Sequence, residues 1–253
     1  VKKGTKNVVA SVLARLRNES NAQGVPFGQV LQFYAMERFL YRLSKSAHVD
    51  SVFLKGALLL KTVGILRARP TLDIDLLRRG KADRDSLVAL VRDCALIESV
   101  TDGVTFDPGS IVAEDIAKDA EYLGTRVLLA GRMDNVRLHV QIDFGVGDVV
   151  VPGPRLIEYP ALLNQPAVQL RAYPIEAAIA EKFQAMVALE LNNSRMKDFY
   201  DIWTCSRHIE FDGETLAKSI AATFQRRATP PPLQPPLSFT VAFFGAQMHR
   251  IQW

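Results

Sequence analysis

Cysteine is scarce: Cys94 and Cys205 are the only two in 253 residues, and no spacing pairs them. That excludes a disulfide framework and reads as free thiols in a reducing compartment. The four histidines, His48, His139, His208 and His249, are scattered, so zinc-ligand spacing is absent too. No apolar run approaches the roughly 20 residues of a membrane span. Walker A and G-x-G-x-x-G are both missing, and Gly145 and Gly147 in "FGVGD" complete neither. P-loop and Rossmann chemistry are thereby disfavoured. The stretch "VKKGTKNVVASVLARL" carries lysines but no apolar signal core or cleavage site, so a cytoplasmic location without membrane association is expected. With Val1 at its start and an aromatic tail at Trp253, the sequence reads as lacking its native start and as cut short at the tail.

What is present describes an ordinary globular protein, with 48% hydrophobic and 23% charged residues. The length supports one large domain or two small ones with a proper core. A net charge of +4 and a pI near 9.1 permit a nucleic-acid or nucleotide partner without establishing one.

Periodicity orders the chain as helices, then mixed strands and helices, then helices. Val8, Val12 and Leu16 make one helical stripe over 7–18, and "GVPFG" breaks it before a longer helix through Leu43. "SVFLKGALLLKTVG" reads as a short strand, a turn at Gly56 and a helix ending near Gly64. A strand through Asp73 and Asp75 follows. "DSLVALVRDCALI" is helical, with Leu87, Leu90, Val91 and Cys94 on one face. "GTRVLLAGRMDNVRLHVQIDFGVGD" reads as a hairpin around a polar turn. Pro174 sits near the start of a further helix, where its missing N–H matters little. "SRMKDFYDIWTCSRH" and residues 214–227 give two more helices, and "TPPPLQPPLS" is a proline-rich connector. The expected class is α/β (α+β): a mixed sheet with flanking helices over 1–160 and a helical part over 161–253.

Residues two apart on a strand share a face. Asp73 and Asp75 therefore face one way, and Leu72, Ile74 and Leu76 the other. Two like charges repel unless a cation separates them, and hard Mg²⁺ prefers carboxylate oxygens. A solvated edge strand is the alternative. In "VRLHVQIDFG", Val136, Leu138, Val140 and Ile142 alternate with Arg137, His139, Gln141 and Asp143, which puts Asp143 on a polar face. Three carboxylates on two strands can converge on a two-metal site that clamps an in-line displacement at phosphorus. A cap or turn role for Asp143 is the alternative.

Gly56 lies between a strand and a helix, where free N–H groups can meet phosphate and Lys55 can add charge; a plain tight turn is the alternative. Arg67, Arg69, Arg78, Arg79 and Lys81 bracket the D-x-D strand, as phosphate contacts or as solvated charge. Lys182 sits among Ile179, Phe183 and Met186, where a snorkelling lysine is one reading. Lys197 and Asp201 are spaced for a surface ion pair, Asp198 lies one residue off that stripe, and Phe199, Tyr200, Ile202 and Trp203 read as core.

The order "FLKGALLL … RPTLDIDLL … IDFG … YPIEAAIAEKFQAM … RMKDFYDIW" resembles the nucleotidyl transferase AbiEii/AbiGii toxin family, within the DNA polymerase β-like nucleotidyltransferase superfamily. "TLDID", "IAEKF" and "KDFYDI" together carry the resemblance. It implies a nucleotidyltransferase-like fold and transfer of NMP from an NTP to a hydroxyl of an RNA, in some members the tRNA 3′ end. It also implies a toxin with a cognate antitoxin. Asp73, Asp75 and Asp143 would hold Mg²⁺ (or Mn²⁺). Lys182 would meet phosphate, and the "KDFYDI" segment would supply an acid, Asp198 first and Asp201 second. Lys55, Gly56, Ala57, Arg69, Lys182, Lys197 and Asp201 form the expected nucleotide-binding set. Many relatives carry Gly-Gly or Gly-Ser at the turn; Gly56-Ala57 leaves phosphate contact there to the backbone. A kinase-type phosphotransferase and a non-catalytic nucleotide-binding scaffold are the competing functions.

Overall fold

The computed structural model describes residues 3–64, 69–99, 101–119 and 122–252. The chain divides into two compact units: Val1–Leu58, Arg69–Gly147 and Leu156–Ala172 form the first, and Leu59–Ala68, Asp148–Arg155 and Tyr173–Trp253 the second.

The first unit opens with α1 (Lys3–Gln23) and α2 (Phe27–Lys45). Pro26 is the N-cap of α2, with an extended ψ of 137°, and left-handed Gly24 at φ 65° follows the last residue of α1. The expected stripe of α1 buries Val12 and Leu16. Helix α2 buries Tyr34, Met36, Phe39, Leu40 and Leu43, and also Glu37, Arg38 and Arg42. Arg42 is paired there through its terminal nitrogens: Nη1 donates to Asp102 Oδ2 at 2.8 Å and Nη2 to the Val104 carbonyl at 2.9 Å. Helix α4 (Arg84–Leu96) starts at Asp83, whose carboxylate accepts from the Ser86 N–H at 3.1 Å, and buries the expected Leu87, Leu90, Val91 and Cys94.

One mixed sheet forms the centre of this unit. Its strands are β1 (Val52–Lys55), β2 (Asp73–Arg78), β3 (Thr105–Phe106), β4 (Val112–Asp119), β5 (Tyr122–Met133), β6 (Val136–Val146), β7 (Arg155–Tyr159) and β8 (Val168–Ala172). Their order is β3-β5-β6-β2-β1-β8-β7, with β4 lying along β5. β2 runs parallel to β6 and antiparallel to β1, and β5 and β6 are the expected hairpin. Its turn is the pair Asp134-Asn135, with Asp134 left-handed at φ 52°. Leu72 does not share the buried face of Ile74 and Leu76. It precedes the first residue of β2 and is 70% exposed.

The second unit is helical: α5 (Ile175–Leu189), α6 (Met196–His208), α7 (Gly213–Arg226) and the short α8 (Val241–Phe244) and α9 (Gln247–Gln252). Pro174 caps α5 as expected. The proline-rich connector is irregular, and the tail beyond it folds back on the helices. Phe239 stacks on Phe183, and Phe243 on Phe199 and His249. Phe199, Phe239, Phe243 and His249 help line an apolar cavity of about 520 Å³. Trp203 departs from the core assignment and is 52% exposed, because α6 buries Met196, Asp198, Asp201, Thr204 and Cys205 instead. Between the strand β1 and Gly64 lie α3 (Gly56–Leu59) and a 3-10 turn, ended by left-handed Gly64.

Candidate active site

Strand register puts the three expected carboxylates on one face. Asp75 of β2 pairs with Asp143 of β6, and Asp73 with Gln141. Register partners project together, and so do residues two apart on a strand. The Asp75 row continues on both sides, to Lys55 of β1 and to Arg126 of β5. Four neighbouring strands therefore present cation, anion, anion and cation in one line. Asp73 is held by the Thr71 hydroxyl, which donates to its Oδ1 at 2.6 Å.

Gly56 faces this row. Its φ is +69°, and a Cβ there would overlap Asp75 Oδ2 and lie 2.8 Å from the Asp75 Cβ. Only glycine combines that backbone with that approach. Ala57 is buried and carries no hydroxyl that could reach a phosphate.

Arg126 is the functional candidate that motif reasoning missed. Its Nε donates to Asp143 Oδ1 at 2.9 Å and its Nη2 to Oδ2 at 3.0 Å. Gln141 Nε2 donates to Asp143 Oδ1 at 3.5 Å; with that amide turned over, its oxygen would instead accept from Arg126 Nε and Nη2 at 3.0 Å, and Glu114 lies 3.9 Å from Nη1. Asp143 is buried, whereas Arg126 keeps 30% of its side-chain surface. The hydrogen bond and charge of Asp143 push the Arg126 pKa up, against the opposing pull of burial. A signal for this pair existed. A two-residue turn at 134–135 pairs Met133 with Val136 and, counting back, Arg126 with Asp143.

The donor chemistry suits a hard divalent ion: Asp73, Asp75 and Asp143 offer carboxylate oxygens from one face. The set is not closed around a cation. Among the described residues no group of three or more His, Cys, Asp or Glu side chains stands ready to hold a metal. Asp143 is turned to Arg126 instead.

The basic residues around β2 divide. Arg78 is tied into the fold: its Nη1 donates to the Ser51 carbonyl at 3.3 Å and its Nε to the Lys81 carbonyl at 3.1 Å. Arg79 lies over the Phe53 ring, and Lys81 pairs with Asp83. Arg69 is half-buried and donates to the Pro70 carbonyl, and Arg67 lies outside the described residues. His139 is exposed on β6.

The second unit gathers the helical candidates. Lys182 of α5 lies 2.5 Å from Asp198 Oδ1 and 2.9 Å from Asp201 Oδ2. Arg195 Nε reaches Asp198 Oδ2 at 2.8 Å. All three members of the Lys182–Asp198–Asp201 cluster are withdrawn from solvent, so Lys182 does not snorkel. Burial pulls the Lys182 pKa down, but the two carboxylates outweigh it and hold it above the ordinary lysine value. The surface pair expected between Lys197 and Asp201 is not formed. The i, i+3 spacing turns Asp198 and Asp201 to the same buried face, and Lys197 points to solvent.

A sequence model described as nucleotidyl transferase AbiEii toxin, type IV toxin–antitoxin system, matches residues 38–253. The chain belongs to this family and is by that membership a nucleotidyltransferase; a type IV toxin–antitoxin family implies an antitoxin partner. No curated protein matches it in sequence. Among solved structures it is similar to JHP933 from Helicobacter pylori, at 17% identity and a TM-score of 0.47 over 86% of both chains. It is also similar to an H. pylori protein described as a candidate nucleotidyltransferase, at 16% identity and a TM-score of 0.46, over 90% of this chain and 94% of that one. No described helix is long and apolar enough to cross a membrane.

Proposed function

We propose that the chain transfers a nucleoside monophosphate from an NTP to a hydroxyl of an RNA acceptor, with tRNA 3′ ends the first candidates, and that this is its toxic activity. The observation that carries the reading is the pairing of Asp75 with Asp143 beside Asp73 and Gly56 on one sheet face. The acceptor oxygen attacks the α-phosphorus, the bond to the β-phosphate oxygen breaks, and pyrophosphate leaves. Asp143 is the group to receive the acceptor proton. The missing Cβ at Gly56 leaves room for phosphate against the backbone. Asp73, Asp75 and Asp143 would hold Mg²⁺ or Mn²⁺, which when bound neutralises phosphate charge and lowers the pKa of a coordinated hydroxyl. Lys55 and Arg69 are proposed as nucleotide contacts. The Lys182–Asp198–Asp201 cluster is proposed as required for activity, as the family resemblance implies. A basic protein suits an RNA acceptor.

The test is label transfer to total tRNA with Mg²⁺ and each NTP in turn. Label from the α-phosphate should appear on RNA, and Asp73→Ala or Asp75→Ala should abolish it. Transfer of γ-label alone would make the protein a kinase. Undiminished transfer by Asp75→Ala would sink the assignment of the site.

A further inference from the structure

The carboxylate row already contains a cation of its own. Arg126 grips both oxygens of Asp143 with a planar fork, a geometry a lysine cannot reproduce. That leaves Asp143 committed, in register with Asp75. Arg126 also has acceptors to move to: Glu114, 3.9 Å from Nη1, and the Gln141 amide, whose oxygen would lie 3.0 Å from Nε and Nη2 once the amide turns over. Release of Asp143 therefore does not strand the guanidinium. Its partial exposure gives it room to turn.

We infer that Arg126 is the resting counter-ion of Asp143 and sets how tightly this site takes a divalent cation. Binding of the cation exchanges Asp143 from the guanidinium to the metal, and Arg126 passes to Gln141 and Glu114. Arg126 is thus a positioning residue that acts through Asp143. This rests on the reading above that Asp73, Asp75 and Asp143 form a divalent-cation site. It adds a competitor that fixes the site's affinity.

Mn²⁺ binding tests this without turnover. Free Mn²⁺ is followed by electron paramagnetic resonance during titration of the full chain at about pH 8, where carboxylates are ionised. Arg126→Gln should bind Mn²⁺ about tenfold more tightly or better, a change of about 1.4 kcal/mol. Arg126→Lys should fall between, and Asp143→Asn should weaken binding. A second measurement uses the unaltered protein: Mn²⁺ should speed phenylglyoxal modification of Arg126, mapped by mass spectrometry. Equal or weaker Mn²⁺ binding by Arg126→Gln overturns the inference, as does labelling that Mn²⁺ leaves unchanged or slows. If Arg126→Gln does not fold, the labelling result decides. Mn²⁺ binding in the expected order without nucleotide transfer would sink the reaction but not the role of Arg126. Transfer with Mn²⁺ affinity unmoved would do the reverse.

Discussion

Gly56 and Asp75 leave no room for a methyl group between them: a Cβ on the glycine would fall within 2.8 Å of the Asp75 Cβ and closer still to its carboxylate. Gly56→Ala must therefore push Asp75 off its row, from a backbone at φ +69° that alanine itself resists. We expect a stability loss of about 1–3 kcal/mol, read by urea unfolding, and a larger proportional loss of nucleotide transfer. An alanine variant with both properties intact would remove Gly56 from the site.

Lys182 joins two buried carboxylates, so Lys182→Met should cost about 3–5 kcal/mol by leaving Asp198 and Asp201 uncompensated. The sign with pH follows from the raised pKa of Lys182. Its contribution is full below the unfolded lysine value of about 10.4 and is lost as pH rises through the higher folded value. Buried Tyr34 and Tyr159 are raised as well and weaken the fold over the same alkaline range. Melting temperatures from about pH 9 to 12 should fall, and less steeply in Lys182→Met. Identical slopes in the two proteins would contradict the arrangement.

Asp102 anchors the buried guanidinium of Arg42 and accepts from the Val104 N–H at 2.9 Å. Asp102→Ala should lower stability by about 3–5 kcal/mol, because Arg42 then stays buried without its counter-charge. Chemical denaturation checks this, and a change below about 1 kcal/mol would show that the pair matters little.

Both thiols are buried, and burial pushes Cys94 up to about 12 and Cys205 up to about 11. Neither carries useful thiolate at neutral pH. Ellman's reagent should react slowly with the native protein and fully with two thiols in denaturant. Rapid reaction of either in the native state would contradict its burial.

Much of this was legible in the sequence where period and punctuation agreed. The stripe of α4, the β5–β6 hairpin, Pro174 at the start of α5 and the shared face of Asp73 and Asp75 all follow local rules. Strands β3, β4, β7 and β8 were not foreseen. β3 has two residues, β4 carries Glu114 and Asp115 beside β5, and β7 is an edge strand. Such segments are held by the neighbour's backbone, not by a hydrophobic pattern of their own. "VQLRA" of β8 did alternate, but five residues are a short signal. The partner of Asp201 was misjudged because a neighbour on the same helix is visible from spacing, whereas Lys182 belongs to another helix. Arg126 stayed hidden because its meaning depends on counting across a turn.

That count has a consequence for how such a site can vary. Asp143 meets Asp75 through β2 and β6, while it meets Arg126 through the hairpin. Adding one residue at Asp134-Asn135 could shift the β5 ladder and bring Thr125 or Val127 opposite Asp143, leaving the aspartate pair where it is. The guanidinium and the carboxylates are therefore separately editable: turn length is a dial on the first that does not touch the second.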